Sequence, residues 1–130
     1  MNIKDAIEKV REMTERDIQT MINKGHDYSG EQDTLANLKD FGIEGIIVRI
    51  GDKYNRLRRF VQSGLLKVKD ESIKDTLMDI CNYTRLGELL LEEDSSIHPA
   101  IKKEIIEILT GIRLDAYLME ISFNNKENKQ

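Results

Sequence analysis

Cysteine is almost absent from this 130-residue chain: the one thiol, Cys81, leaves no disulfide framework and no cysteine metal site. A lone thiol inside a helical pattern fits a reducing compartment. Tryptophan is missing, aromatic residues make up 5%, and proline occurs once, at Pro99. Histidine occurs twice, at His26 and His98, too few for an imidazole-based zinc site and in no recognisable triad context. Apolar runs fall far short of the roughly 20 residues that span a bilayer. The start, Met1-Asn2-Ile3-Lys4-Asp5, is charged too early for a signal peptide. The expectation is a soluble, cytoplasmic protein. Excess positive charge is absent too: a net charge of −4 and a pI near 5.3 argue against a protein that coats a nucleic-acid polymer, whose affinity comes from neutralising phosphates.

What is present is helix-forming sequence. Hydrophobic residues are 39% and charged residues 34%, and the apolar positions recur with helical rather than strand periodicity. The reading is an all-α, single-domain antiparallel bundle of four main helices plus a short helix after the first loop. The domain covers residues 1–121, followed by a polar tail, 122–130, expected to be frayed.

A first helix over residues 3–24 carries a stripe of Ile7, Val10, Met13 or Thr14, Ile18, Met21 and Ile22, with Glu8, Lys9, Arg11, Glu12, Glu15 and Arg16 facing water. Gly25 reads as its C-cap, and the turn-forming loop from Gly25 to Asp33 precedes a short helix ending near Phe41. A second helix, 42–63, contains Gly42, Gly45 and Gly51, which imply close approach of a neighbour or a ligand. Gly64 is a candidate cap. Asp70 or Ser72 would open a third helix, 71–93, with Gly87 on its core face. Pro99 suits the first turn of a last helix, 99–121, capped by Ser96 or His98. That helix has one apolar stripe at Ile101, Ile105, Ile108, Ile112 and Ala116 and another at Leu114, Tyr117, Leu118 and Ile121. Two apolar faces need two partners, so the chain is expected to form a homo-oligomer, most simply a dimer.

The chemistry concentrates between Arg49 and Tyr83. Arg49, Lys53 and Arg56 recur at i, i+4 and i+7 on one helix face, with Asp52 at its edge. Asp75, Asp79, Asn82 and Tyr83 form the answering stripe. The cationic stripe lies one residue before the core positions Ile50, Tyr54 and Leu57, and the acidic one runs beside Ile73, Leu77, Ile80 and Thr84. A short connection makes the two helices antiparallel neighbours. A pivot near residue 66 sets Lys53 opposite Asp79, Arg56 opposite Asp75, and Arg49 opposite Asn82 or Tyr83.

Three segments carry a family resemblance: Lys24-Gly25-His26-Asp27-Tyr28-Ser29-Gly30 with Asn37 downstream, the run from Arg49 to Arg56, and the run from Asp70 to Tyr83. Together they resemble the phage-type nucleotide modification associated domain family, itself similar to the MazG-like all-α nucleoside triphosphate pyrophosphohydrolases. The resemblance spans about residues 20–92. It implies nucleotide chemistry, and it adds Lys24, Asp27, Tyr28 and Asn37 to Arg49, Asp52, Lys53, Arg56, Asn82 and Tyr83 as ligand-binding candidates. The MazG-like enzymes hold magnesium with acidic residues on two successive helices. Here the second helix offers Glu44 and Asp52 at other spacing, and cations stand where acids would be expected. A magnesium ion would fall to Glu71, Asp75 and Asp79, with Asp75 and Asp79 as catalytic candidates.

The favoured reading is therefore a small nucleotide-binding protein whose basic stripe holds the phosphates of a nucleotide or nucleotide-derived molecule. One alternative is a magnesium-dependent pyrophosphohydrolase. Another is a sponge for a nucleotide-derived anti-phage signal. A third is a purely structural helical oligomer, with the stripes as a salt-bridge ladder.

Overall fold

A computed structural model describes residues 1–29, 42–63 and 71–128, with the backbone course alone for residues 24–29, 71, 72 and 126–128. The described residues form four helices and no strand: α1 Ile3–Ser29, α2 Gly42–Ser63, α3 Glu71–Glu93 and α4 Pro99–Asn128. The expected all-α bundle is what is seen. No helix among the described residues is long and apolar enough to cross a membrane. The short helix near 34–41 and the caps at Gly64 and Asp70 lie outside the described residues.

Local chemistry accounts for the ends that can be read. Asn2 Oδ1 accepts the Asp5 backbone N–H at 2.9 Å and opens α1. Gly42 adopts φ +62° at the first residue of α2, a left-handed conformation that a side chain would strain. His98 Nδ1 accepts the Ala100 N–H at 3.1 Å, so His98 caps α4 as expected. Ser96 instead completes the preceding turn, where both its backbone N–H (2.9 Å) and its hydroxyl (2.5 Å) donate to Asp94 Oδ1. Those two hydrogen bonds hold the Asp94 carboxyl below its usual range.

Two helices run further than expected. Gly25 does not stop α1, which continues to Ser29 and takes His26, Asp27 and Tyr28 into the helix. An interior glycine costs only about 1 kcal/mol, and no proline follows to block the backbone. The last helix also runs past its expected end at residue 121. α4 continues to Asn128, anchored by Phe123, which is 5% exposed among polar neighbours.

α3 is the hub, with α2 and α4 packed along it on either side and α1 lying more lightly across α4 and α3. Its inward residues Ile73, Leu77, Cys81 and Leu91 are fully buried. One core cluster joins Ile73, Leu77 and Cys81 to Met13, Ala116, Tyr117, Ile121 and Phe123. A second, toward the other end of α3, groups Ile46, Ile50, Leu90, Leu91 and Leu109. Gly87 sits where α2, α3 and α4 meet, and a Cβ there would lie 3.1 Å from Leu109 Cδ1 and 3.2 Å from Ile46 Cγ2. Its close approach is real. Gly51 has nothing within 4 Å of a Cβ, so close packing is not what it serves.

The inward stripe of α1 also differs from expectation. Ile7, Ile18 and Ile22 are 40–49% exposed, while Asp17 is fully buried. Arg16, expected in water, donates through Nη1 to Glu120 Oε1 at 2.5 Å and through Nη2 to Asp17 Oδ1 at 3.0 Å. The second apolar face of α4 is divided: Tyr117 and Ile121 are buried within the chain, whereas Leu114 and Leu118 stay exposed. Tyr54, expected in the core, is 59% exposed.

Candidate functional site

The antiparallel pairing of α2 with α3 is the frame of the site. Lys53 Nζ lies 2.9 Å from Asp79 Oδ2, and the Arg49 guanidinium carbon stands 5.8 Å from the centre of the Tyr83 ring, with Nη1 3.5 Å from its hydroxyl. Both rungs fall where the expected register put them. The third does not form: Arg56 lies over the Phe60 ring at 5.7 Å, and Asp75 is exposed without an ion pair to it. One turn of helix separates the made rung from the open one. Arg56 gains more from a neighbouring aromatic face on its own helix than from reaching across to a solvated carboxylate.

These residues line a shallow depression of about 330 Å³ formed by Arg49, Asp52, Lys53, Arg56, Arg59 and Tyr83. Four cations face one acid in this lining, inside a chain whose net charge is −4. Arg59, not among the candidate residues above, belongs to the same face because it follows Arg56 by three positions, a spacing visible in the sequence. Tyr83 closes one side: it packs partly against the core cluster of Ile46, Ile50, Leu90, Leu91 and Leu109, with its hydroxyl toward Arg49. Lys53 is half-buried and fixed by Asp79, whereas Arg49, Arg56 and Arg59 are exposed. The depression therefore has one positioned ammonium, three planar guanidinium groups and one aromatic ring.

Guanidinium groups suit phosphate because their fork of N–H donors matches two oxygens at once. A half-buried Lys53 contributes a point charge whose position Asp79 sets. Asn82 does not join the set; its Oδ1 is buried and meets no hydrogen-bond partner among the described residues. Asn37 lies outside the described residues, as do the side chains of Lys24, Asp27, Tyr28 and Glu71.

The candidate magnesium ligands are described only in part. Among the described residues no three acidic, histidine or cysteine side chains gather as a metal would require. Of the pair that can be judged, Asp79 is engaged by Lys53 and Asp75 stands apart in solvent.

A second polar constellation, invisible to the sequence reading, lies between α1, α3 and α4. Asp17 Oδ2 accepts the Tyr117 hydroxyl at 2.6 Å, and Arg85 Nη2 donates to that hydroxyl at 2.7 Å. Arg16 joins Asp17 to Glu120 beside them. Burial works to lower the Arg16 pKa, but the hydrogen bond and charge of Glu120, with those of Asp17, raise it above the usual guanidinium value. Burial and the Asp17 hydrogen bond raise the Tyr117 phenol. The adjacent Cys81 thiol is pushed up to about 12 by burial, then by the charges of Asp17 and Glu120. It is inert as a nucleophile. This network ties α1 to α3 and α4 and reads as the polar lock that docks α1.

The class that fold and geometry define is an all-α helical bundle with a cationic, aromatic-edged face on its second helix. No family model, curated protein or solved structure matches the chain.

Proposed function

We propose that the α2 face binds the phosphates of a nucleotide or nucleotide-derived small molecule. The observation that carries this reading is the gathering of Arg49, Lys53, Arg56 and Arg59 with Tyr83 around one depression in an acidic protein. A salt-bridge ladder would account for Lys53 with Asp79, but Arg56 and Arg59 have no carboxylate partner among the described residues. Clustering exposed guanidinium groups costs stability through repulsion, which an anion offsets. The resemblance of residues 49–56 and 70–83 to nucleotide-associated domains points the same way.

In this reading Arg56 and Arg59 take the terminal phosphates, Lys53 is held in place by Asp79, and the Tyr83 ring borders the base or sugar. No metal is needed, because the cations neutralise the phosphates directly. Calorimetric titration with a panel of nucleoside mono-, di- and triphosphates in EDTA tests it. Hydrogen bonds to charged groups are worth about 1.5–3 kcal/mol, so Arg56→Ala should weaken binding by about tenfold or more. Arg11→Ala, on the solvent side of α1, should leave it unchanged. Equal affinities for the two variants would return the stripe to a structural role. Binding that appears only with magnesium, accompanied by pyrophosphate release lost in Asp79→Asn, would instead favour the hydrolase.

A further inference from the structure

On the other side of α2 the surface changes character. Because α2 and α4 each run antiparallel to α3, they are parallel to one another, and they leave an open groove of about 430 Å³ above Leu77 and Ile80 of α3. The groove is almost wholly apolar, with Leu57 on one wall and Ile112, Ala116 and Met119 on the other. Its two rims repeat the same spacing. On α2, Tyr54, Arg58 and Val61 line it, and Ile47 stands seven residues before Tyr54 on the same helix face; on α4, Ile112 and Asp115 line it, and Ile108 and Ile101 precede Ile112 by four and eleven residues on the same face. Seven, four and three are the intervals of a helix seam made to receive another helix. Tyr54 and Val61 at the groove are 59% and 51% exposed, and Ile47, Ile101 and Ile108 farther along the same helix faces are 51–63% exposed, so these faces have no partner among the described residues.

Each rim carries one charge, Arg58 on α2 and Asp115 on α4; both line the groove, both are exposed, and they do not pair with one another. We infer that this groove is the interface of an isologous dimer of this chain. A surface bearing a cation on one rim and an anion on the other is complementary to itself. A two-fold axis lying in the plane of the interface, across the line that joins Arg58 to Asp115, exchanges the two positions and brings Arg58 of each protomer to Asp115 of the other. The symmetry makes that pair twice, once at each side of the axis. Tyr54 and Val61 supply the apolar contact around it, and a large exposed aromatic beside an arginine is the composition of an interface centre. The groove and the basic face lie on opposite sides of α2, where neighbouring residues part company: Arg58 lines the groove and Arg59 the anion depression. Dimer formation therefore leaves the ligand face open, and the inference stands independently of the function proposed above.

Light scattering on the intact chain at micromolar concentration tests it. The wild type should run at twice the chain mass of 15.1 kDa. Arg58→Glu and Asp115→Arg should each run as monomers, because each creates two like-charge contacts. Mixing the two variants in equal amounts should restore the dimer, since the introduced glutamate of one then meets the introduced arginine of the other while the native pair forms at the second contact. Recovery on mixing also shows that both variants are folded. Val61→Glu, at a site 51% exposed, should dissociate the dimer and stay monomeric when mixed with either. A monomeric wild type would overturn the inference. So would a dimer that withstands all three substitutions, which would move the contact to the exposed isoleucines of α1, and so would single variants that fail to recombine.

Discussion

At the scale of single residues, the polar lock under α1 decides more than its composition suggested. Asp17 and Glu120 are buried carboxylates, and Arg16 is the cation that joins them. Removing it leaves two acids without their charge partner. Breaking a buried pair costs roughly 3–5 kcal/mol, and with 32% of the Arg16 side chain in water the loss for Arg16→Ala should be nearer about 2–4 kcal/mol in a urea titration. Tyr117→Phe, which strips Asp17 of its hydroxyl donor, should cost about 1–3 kcal/mol in the same assay. An arginine of this kind is legible in a sequence only if the helix face is already known. Periodicity favoured Ile18 over Asp17 as the inward residue, and the buried salt bridge reverses that choice.

Cys81 gives a second residue-scale test. Its folded pKa, about 12, lies above the ordinary thiol value, so the unfolded chain releases this proton first as the pH rises. Tyr117 shifts in the same direction. Both contributions to stability are complete below the ordinary thiol range and are lost as the pH climbs past it, first through Cys81 and then through Tyr117. The urea midpoint should fall progressively above about pH 9, and less steeply in Cys81→Ala. A thiol reagent at about pH 8, below the range where the folded thiol ionises, should label Cys81 only as fast as the protein opens. Rapid labelling of the native protein would contradict the burial.

At the scale of elements, α2 and α3 were legible almost to the residue. Their amphipathic repeats are regular, Gly42 supplies the left-handed start of α2, and a short connection fixes the antiparallel register that places Lys53 at Asp79 and Arg49 at Tyr83. α1 and α4 were legible in existence but not in extent. Gly25 looked like a stop and is not one; Phe123 looked like part of a polar tail and is core. In both cases continuing the helix outweighs a local signal worth about 1 kcal/mol or less. The glycines of α2 and α3 separate in the same way. Gly51→Ala, with open space at the Cβ position, should raise stability by about 0.5–1 kcal/mol. Gly87→Ala meets Leu109, Ile46 and Ile43 at 3.1–3.3 Å, so overpacking should cancel the propensity gain and leave a net loss of about 1 kcal/mol. Thermal denaturation of the two variants should move in opposite directions.

At the scale of the whole molecule, the bundle separates its tasks by face. α3 carries much of the buried core and lends Asp79 and Tyr83 to the cationic face, α1 is held by a buried ionic lock, and α2 presents that face on one side and an apolar seam on the other. The cationic face could be foreseen because charge and spacing are both written in residues 49–59. The seam could not, because Tyr54 and Ile108 look like core positions until the gap between α2 and α4 is known. Salt should weaken ligand binding at the cationic face, since exposed guanidinium groups are screened within roughly 10 Å at about 0.1 M ionic strength, while association through the apolar seam should be far less sensitive.

The central claim is that the α2 face is an anion site, and the most direct measurement is an NMR titration of the isotope-labelled protein with a nucleoside triphosphate in EDTA. The account predicts saturable shifts concentrated at Arg49, Lys53, Arg56, Arg59 and Tyr83, including the arginine side-chain N–H signals, and their disappearance in Arg56→Ala. Shifts centred elsewhere in the bundle, or no saturable change across the nucleotide panel, would contradict it.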